Sequence, residues 1–320
     1  MKPSFVKIIL VLIFLFVLSV LLAIFKGSVG LEAGDLLSAL NRPILNLRIF
    51  RVLVAVIAGS GLAVSGVALQ AILRNSLAEP YLLGTSSGAG LGAVVAVFFG
   101  WSSLYLPPAA FLGAILSILL VYNLARHNNK VPEQSLILSG VIVSVAISAL
   151  IVFLISISRN EVLHSMTWWL WGSLQIYDFR LLFIVAIVVI AGIGVIYAFS
   201  QDLNAISIGE EEAAHLGIDV EKVKKILILV TSLITASLVC VCGIIGFVGL
   251  MVPHIMRLSV GPNHRRLIPA TCLAAAIFMI LCDLISRTVF TPLEIPIGVI
   301  TALTGAPVFI FLMKRKQRGH

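Results

Sequence analysis

A chain of 320 residues with 60% hydrophobic and only 11% charged side chains is no water-soluble fold: soluble domains carry about 25% charged residues. Lipid must be the solvent for most of it. The net charge of +8 does not point to nucleic acid, because the basic residues sit between apolar runs, where they set orientation in a membrane.

Apolar runs recur at 8–25, 52–72, 83–100, 107–124, 135–157, 181–199, 226–244, 245–258, 267–286 and 296–313. These predict an all-α integral membrane protein of about ten transmembrane helices. The first run follows Lys2 and Lys7 as a signal peptide would, but no small-x-small cleavage pattern comes after it, so it reads as a retained span. The next stretch, 27–46, reads as a short amphipathic connector. Arg48 and Arg51 then stand three apart on one helical face at the start of the second span, in the manner of headgroup contacts.

Residues 70–92 hold a polar turn (Arg74, Asn75, Ser76, then Glu79 and Pro80) followed by Gly84, Gly88 and Gly92. That spacing lays bare backbone along one side of a helix, so a second helix can approach closely. The combination suggests a moving part near a pathway. Further on, 166–175 (MTWWLWGSLQ) clusters three tryptophans, which read as an interfacial anchor.

The longest polar segment is 201–225. Gly209 precedes Glu210, Glu211 and Glu212, and negative charge suits a helix N-terminus. Ala213, Ala214 and Leu216 follow, and Gly217 is a fitting stop. A short helix, a turn and the start of the next span are expected. A plain connector needs fewer residues, so a partner is expected to dock here. Beyond it, 226–258 is too long for one span and is broken by Gly243, Gly246 and Gly249 before Pro253. A tight reversal or an unwound segment fits there, which requires shielding by protein or contact with water.

Ten spans put both termini on one side. With the N-terminus inside, fifteen of the 22 Lys and Arg are cytoplasmic, so both termini are placed in the cytoplasm. The four cysteines, Cys240, Cys242, Cys272 and Cys282, lie in or beside apolar runs and read as small buried hydrophobes.

The chemistry points away from catalysis. There is no G-x-x-x-x-G-K-[ST] phosphate loop and no H-E-x-x-H, and His164, His215, His254 and His264 lack ligand spacing. Ser86-Ser87-Gly88 falls in the glycine-spaced helix and reads as packing. No Asp, Glu, Lys or Arg falls in the middle of any run; Asp283 and Arg287 lie near the outer end of the ninth, and His254 near the inner end of the eighth. A self-contained ion-coupled secondary transporter would need such groups at mid-depth. The expectation is a transporter, not an enzyme, with no metal or cofactor of its own and energised by another subunit acting at 201–225.

The residues themselves resemble the permease subunits of binding-protein-dependent ABC importers for iron-siderophores, haem and cobalamin (the FecCD/BtuC-like family). The resemblance rests on Arg48-x-x-Arg51, Ser65-Gly66 with Gln70, and Arg74-Asn75-x-Leu77-Ala78-Glu79-Pro80-x-Leu82-Leu83-Gly84. It continues through Leu203-Asn204, Gly209-Glu210 to Leu216-Gly217, and Gly246-Phe247-Val248-Gly249-Leu250-x-Val252-Pro253-His254 with Arg257. It closes with Asn263-His264-Arg265, Leu267-x-Pro269, Asp283, Arg287, Glu294-x-Pro296-x-Gly298 and Gly305-Ala306-Pro307.

The resemblance implies a type II ABC importer permease architecture in which the whole chain, 1–320, is one transmembrane permease domain of a bacterial or archaeal cytoplasmic (inner) membrane. It implies a homodimer around a central path along the fifth and tenth spans. Two ATPase subunits, which bind the ATP and Mg, sit below it, and an extracytoplasmic substrate-binding protein sits above. By the same resemblance, Gly209, Glu210, Glu211, Glu212, Ala213, Leu216 and Gly217 belong to the element that couples to the ATPase. Arg48, Arg51 and Arg287 pair with acidic residues of the binding protein. Asn75 and Leu77 match a cytoplasmic gate, whose second element falls at Glu133 and Gln134, where family members often carry small hydroxyl residues. Gly84, Gly88 and Gly92 are packing residues.

Overall fold

The computed structural model describes residues 4–27, 42–127, 130–176 and 178–317. Among them are thirteen α-helices and no strand beyond a single bridge between His127 and Lys130. Positions 28–41 of the expected connector lie outside the described residues.

Every apolar run has become a helix. Seven are long and apolar enough to cross a membrane by length and composition: α1 (Phe5–Phe25), α2 (Arg42–Ile72), α4 (Leu106–Ala125) with the turn before it, α5 (Glu133–Ser156), α7 (Phe179–Ala198), α10 (Val220–Cys242) and α12 (His264–Thr288). The other three runs form α3 (Thr85–Phe98), α11 (Val248–Val260) and α13 (Ile297–Gln317), whose apolar parts are shorter. Three further helices, α6 (Asn160–Leu170), α8 (Ser200–Ile206) and α9 (Glu210–His215), join them. Only α9 is expected from the sequence. The indoles hid α6, which carries Trp168 and Trp169, and α8 is too short for periodicity to show.

The pillar is α2. Along one turn after another it presents small residues, and its neighbours approach at those places. A Cβ on Gly59 would meet Ala275 and Met279 of α12, one on Gly61 would meet Leu238 of α10 and Val189 of α7, and one on Gly66 would collide with Gly249 of α11. Lipid offers no hydrophobic drive for helices to associate, so this close backbone approach and its dispersion contacts hold the bundle together. The apolar side chains of α1 and α5 instead stay exposed (Leu10, Phe14, Leu138 and Val145 among them), as a face toward lipid or another chain requires.

The long stretch 226–258 is broken as expected, and the break is at 243–247. Gly243 (φ 68°) ends α10, and Phe247, also at φ 68°, starts α11. Non-helical backbone at such depth needs partners from protein. The segment after α6 and the start of α13 pack beside the break: Ser173 N donates to the Cys242 carbonyl at the end of α10 (2.8 Å), and Ile297 N and Gly298 N donate to the carbonyls of Gly172 and Trp171 (3.2 and 3.1 Å). The Tyr81 hydroxyl accepts from Ile245 N at 3.1 Å. Three helix ends therefore meet around one hydrogen-bonded knot.

Candidate functional site

The turn at 73–79 follows from its residues. The Asn75 side chain accepts from Leu77 N at 2.9 Å, closing an Asx turn. Ala78 N donates to the Asn75 carbonyl, and the 3-10 turn Pro80–Leu83 leads into α3. Leu77 is left about half exposed (48%) at the tip. Below the turn, the buried Gln70 side chain donates to the Gly249 carbonyl (3.3 Å) and accepts from Arg257 (2.9 Å), tying the ends of α2 and α11. Gly84 is at φ 76°, a conformation that favours glycine. All three spaced glycines face α4: a Cβ on Gly84 would meet Ser117, one on Gly88 would collide with Gly113 and Ser117, and one on Gly92 with Ala109. The Ser117 hydroxyl donates to the Gly84 carbonyl at 2.8 Å.

The polar segment folds as α8 and α9. Glu210, Glu211 and Glu212 fill the first turn of α9, where they complement its N-terminal N–H groups. Glu212 folds back against Gly209, where a Cβ would collide with its carboxylate. Gly217 (φ 82°) stops the helix; its N–H bonds the Ala214 carbonyl, and Ile218 N bonds that of Ala213. Ala213 is fully buried against the body. Ile208 and Leu216, at the two ends of α9, are 75% and 72% exposed.

α9 is held to the body by charge. Glu210 pairs with Lys224 of α10, whose side chain is almost wholly buried. Arg74, at the start of the turn, pairs with Glu133 at the start of α5 (2.8 Å). Glu133 and Glu210 line the same cavity. Burial pushes the Glu210 carboxyl up, but the positive charges of Lys224 and Arg74 outweigh it and the net shift is downward. Arg74 is shifted up, by its bond to Glu133 above all. These residues line a cavity of about 330 Å³ with Lys130 and Glu221. Sequence reasoning missed Arg74 and Lys224. Lys224 sits between Lys222 and Lys225, Arg74 is a lone basic residue at a span end, and nothing in the chain order pairs 74 with 133.

The end of the bundle near Arg51 holds a second cluster of charges. Arg48, Arg51 and Arg287 are not free rim charges. Arg48 is 5% exposed and donates to the carbonyls of Ile24 and Phe25 (2.7 and 3.1 Å). Arg51 pairs with Asp283 (2.7 Å) and, through one nitrogen, with both oxygens of Glu294 (3.0 and 2.9 Å). Arg287 is 3% exposed, faces Asp283 at 3.2 Å and donates to the Ala23 carbonyl. The physical reason is desolvation: a guanidinium at a helix–helix seam is stable only when carboxylates and carbonyls of the same protein surround it. Gln175 joins the cluster through Glu294 (2.6 Å). Among its charged members Arg51 (14%) and Glu294 (24%) are the more exposed, and Gln175 is exposed beside them.

The whole pattern has known relatives. The cobalamin import system permease protein BtuC of Halobacterium salinarum is 39% identical over 272 residues, which is 85% of this chain and 73% of that protein. The hemin transport system permease protein HmuU of Yersinia pestis is 33% identical over 329 residues, covering 96% of each. A solved structure described as an inward-facing conformation of a metal-chelate type ABC transporter superposes with a TM-score of 0.87 at 34% identity, over 97% of this chain and 99% of that one. This is a multi-pass protein of the cytoplasmic membrane with an ABC permease fold. The profile of the FecCD transport family matches residues 12–315, and the chain belongs to that family.

Proposed function

We propose that this chain is the membrane-spanning subunit of an ABC importer that carries an iron chelate, haem or cobalamin. The relatives named above support that substrate group. In this reading residues 1–320 form one ten-span permease domain with both termini in the cytoplasm. Two copies enclose the path, and ATP is hydrolysed on separate ATPase subunits. The observation that carries it is α9. It stands outside the candidate spans with two exposed apolar residues, Ile208 and Leu216, at its ends. Exposed apolar side chains of that size flanking a short helix are what a docking partner covers. We assign the coupling role to Gly209 through Gly217 and the cytoplasmic gate to Asn75 and Leu77, with Gly84, Gly88 and Gly92 as packing.

The substrate-binding protein docks on the outer rim in this reading. Because Arg48 and Arg287 are spent internally, Arg51 and Glu294 are the members of the arginine cluster best placed to meet it.

The test is reconstitution in liposomes with the ATPase and binding protein. Uptake should require ATP and the binding protein, and the permease alone should hydrolyse no ATP. Uptake driven by a proton gradient without any ATPase would overturn the reading in favour of a secondary carrier. A disulfide across the dimer through Leu77→Cys should block uptake yet leave ATPase docking intact.

A further inference from the structure

We propose that Arg74, Glu133, Glu210 and Lys224 form one charged linkage through which displacement of α9 reaches the 73–79 turn, making Arg74 and Lys224 positioning residues of the transport cycle. This rests on the function proposed above for α9 and for the turn.

Two ion pairs from four different segments of the chain, Arg74–Glu133 and Glu210–Lys224, stand side by side in the lining of one cavity. Lys224 fixes one end. Its ammonium is almost wholly buried and its partner is Glu210, so α9 cannot shift without dragging either that lysine or its own carboxylate. Glu133, at the first position of α5, bonds Arg74 and lines the same cavity as Glu210, whose charge also acts on Arg74. Arg74 is the other end, and its backbone is unusual: φ is 42°, in the left-handed region that non-glycine residues rarely adopt. That conformation departs from the helix just before the turn, and the guanidinium it carries is held 2.8 Å from Glu133. From Arg74 the turn continues through the Asn75 cap to Leu77, so a pull on Arg74 moves the exposed leucine rather than merely a flexible side chain. The adjacent cavity of about 330 Å³ gives these side chains room to rearrange.

Stability alone does not explain the Arg74–Glu133 pair. The Arg74 side chain is 43% exposed, and pairs in such positions contribute little to folding. Breaking it therefore isolates transmission from folding.

Two measurements test the linkage. In the reconstituted complex, Arg74→Glu and Glu133→Arg should each lower substrate transported per ATP hydrolysed by at least about fivefold, the low end of ordinary coupling between sites. The double exchange should restore the ratio. Unchanged ratios in the single variants, or a double exchange that folds and fails to rescue, overturn the proposal. The second measurement needs no transport assay and so separates this proposal from the function itself. The permease alone, carrying Leu77→Cys, is labelled with a thiol reagent. Cys240, Cys242 and Cys282 are buried, and the partly exposed Cys272 is replaced by Ala in all samples, which leaves the introduced thiol the main target. Glu210→Gln and Arg74→Gln should change the labelling rate non-additively. Additive effects, or none, overturn the linkage even if ATP-driven uptake is demonstrated.

Discussion

Asp283 shows how one residue can carry opposite meanings at two levels of description. In the chain it is a lone carboxylate near the end of an apolar run. In the fold it is almost completely buried, between Arg51 and Arg287. Asp283→Ala would leave Arg287 with no carboxylate in contact and should cost about 3 kcal/mol, the low end for breaking a buried pair because carbonyls remain. Thermal unfolding in detergent measures this. A similar argument applies at Lys224. Glu210→Ala strands its ammonium and should destabilise by about 3 kcal/mol, again the low end because Glu210 itself is partly exposed. The pH dependence has a definite sign. The folded Glu210 carboxyl is shifted down, so its stabilising contribution is complete above the ordinary carboxylate value of about 4.3. It is lost as pH falls through the lowered folded value. The stability difference between the natural protein and Glu210→Gln should therefore stay constant through the neutral range and shrink only in acid.

At the level of helices, α2 is organised by glycine. Its crossing with α11 brings Gly66 against Gly249 with no space for a methyl group. Gly66→Ala must push the helices apart and should cost about 1–3 kcal/mol. Gly194 on α7 is the control. It has nothing within 4 Å and no unusual φ, so Gly194→Ala should be neutral or stabilise by about 0.5–1 kcal/mol through helix propensity. Opposite shifts in melting temperature for the two variants would support glycine-mediated packing as the cohesive force. The break at 243–247 is the complementary case. There glycine and Phe247 adopt positive φ so that α10 can end inside protein and α11 can begin beside the 73–79 turn.

Across the molecule, two charged centres sit at opposite ends of α2, one at Arg51 and one just past its end at Arg74. Each joins segments distant in the chain: the outer one links α1, α2, α12 and Glu294, the inner one the 73–79 turn, α5, α9 and α10. Between them the pillar is apolar and tightly packed. A rigid rod with an ionic clasp at each end suits a permease that must pass signals between a partner on one face and a partner on the other. Arg51→Glu should weaken association with the binding protein and leave ATPase binding unchanged, which co-purification at physiological salt would measure. Retained association would remove Arg51 from the outer interface.

The apolar runs by themselves located ten of the thirteen helices among the described residues, seven of them long and apolar enough to cross a membrane, because hydrophobicity is a local property of each segment. The glycines and proline also announced the interruption before α11, since backbone geometry is a property of each residue type. Gly209 and the three glutamates likewise showed where α9 would start. What the chain order could not show was which charges would meet. Arg51 lies 232 residues from Asp283, and Arg74 lies 59 from Glu133. Pairing at such separations depends on which helix faces converge, and desolvation acts only after they have. Tertiary structure therefore decided that three arginines expected at an outer rim are largely internal clasps, and that an overlooked fourth, Arg74, stands between α9 and the turn.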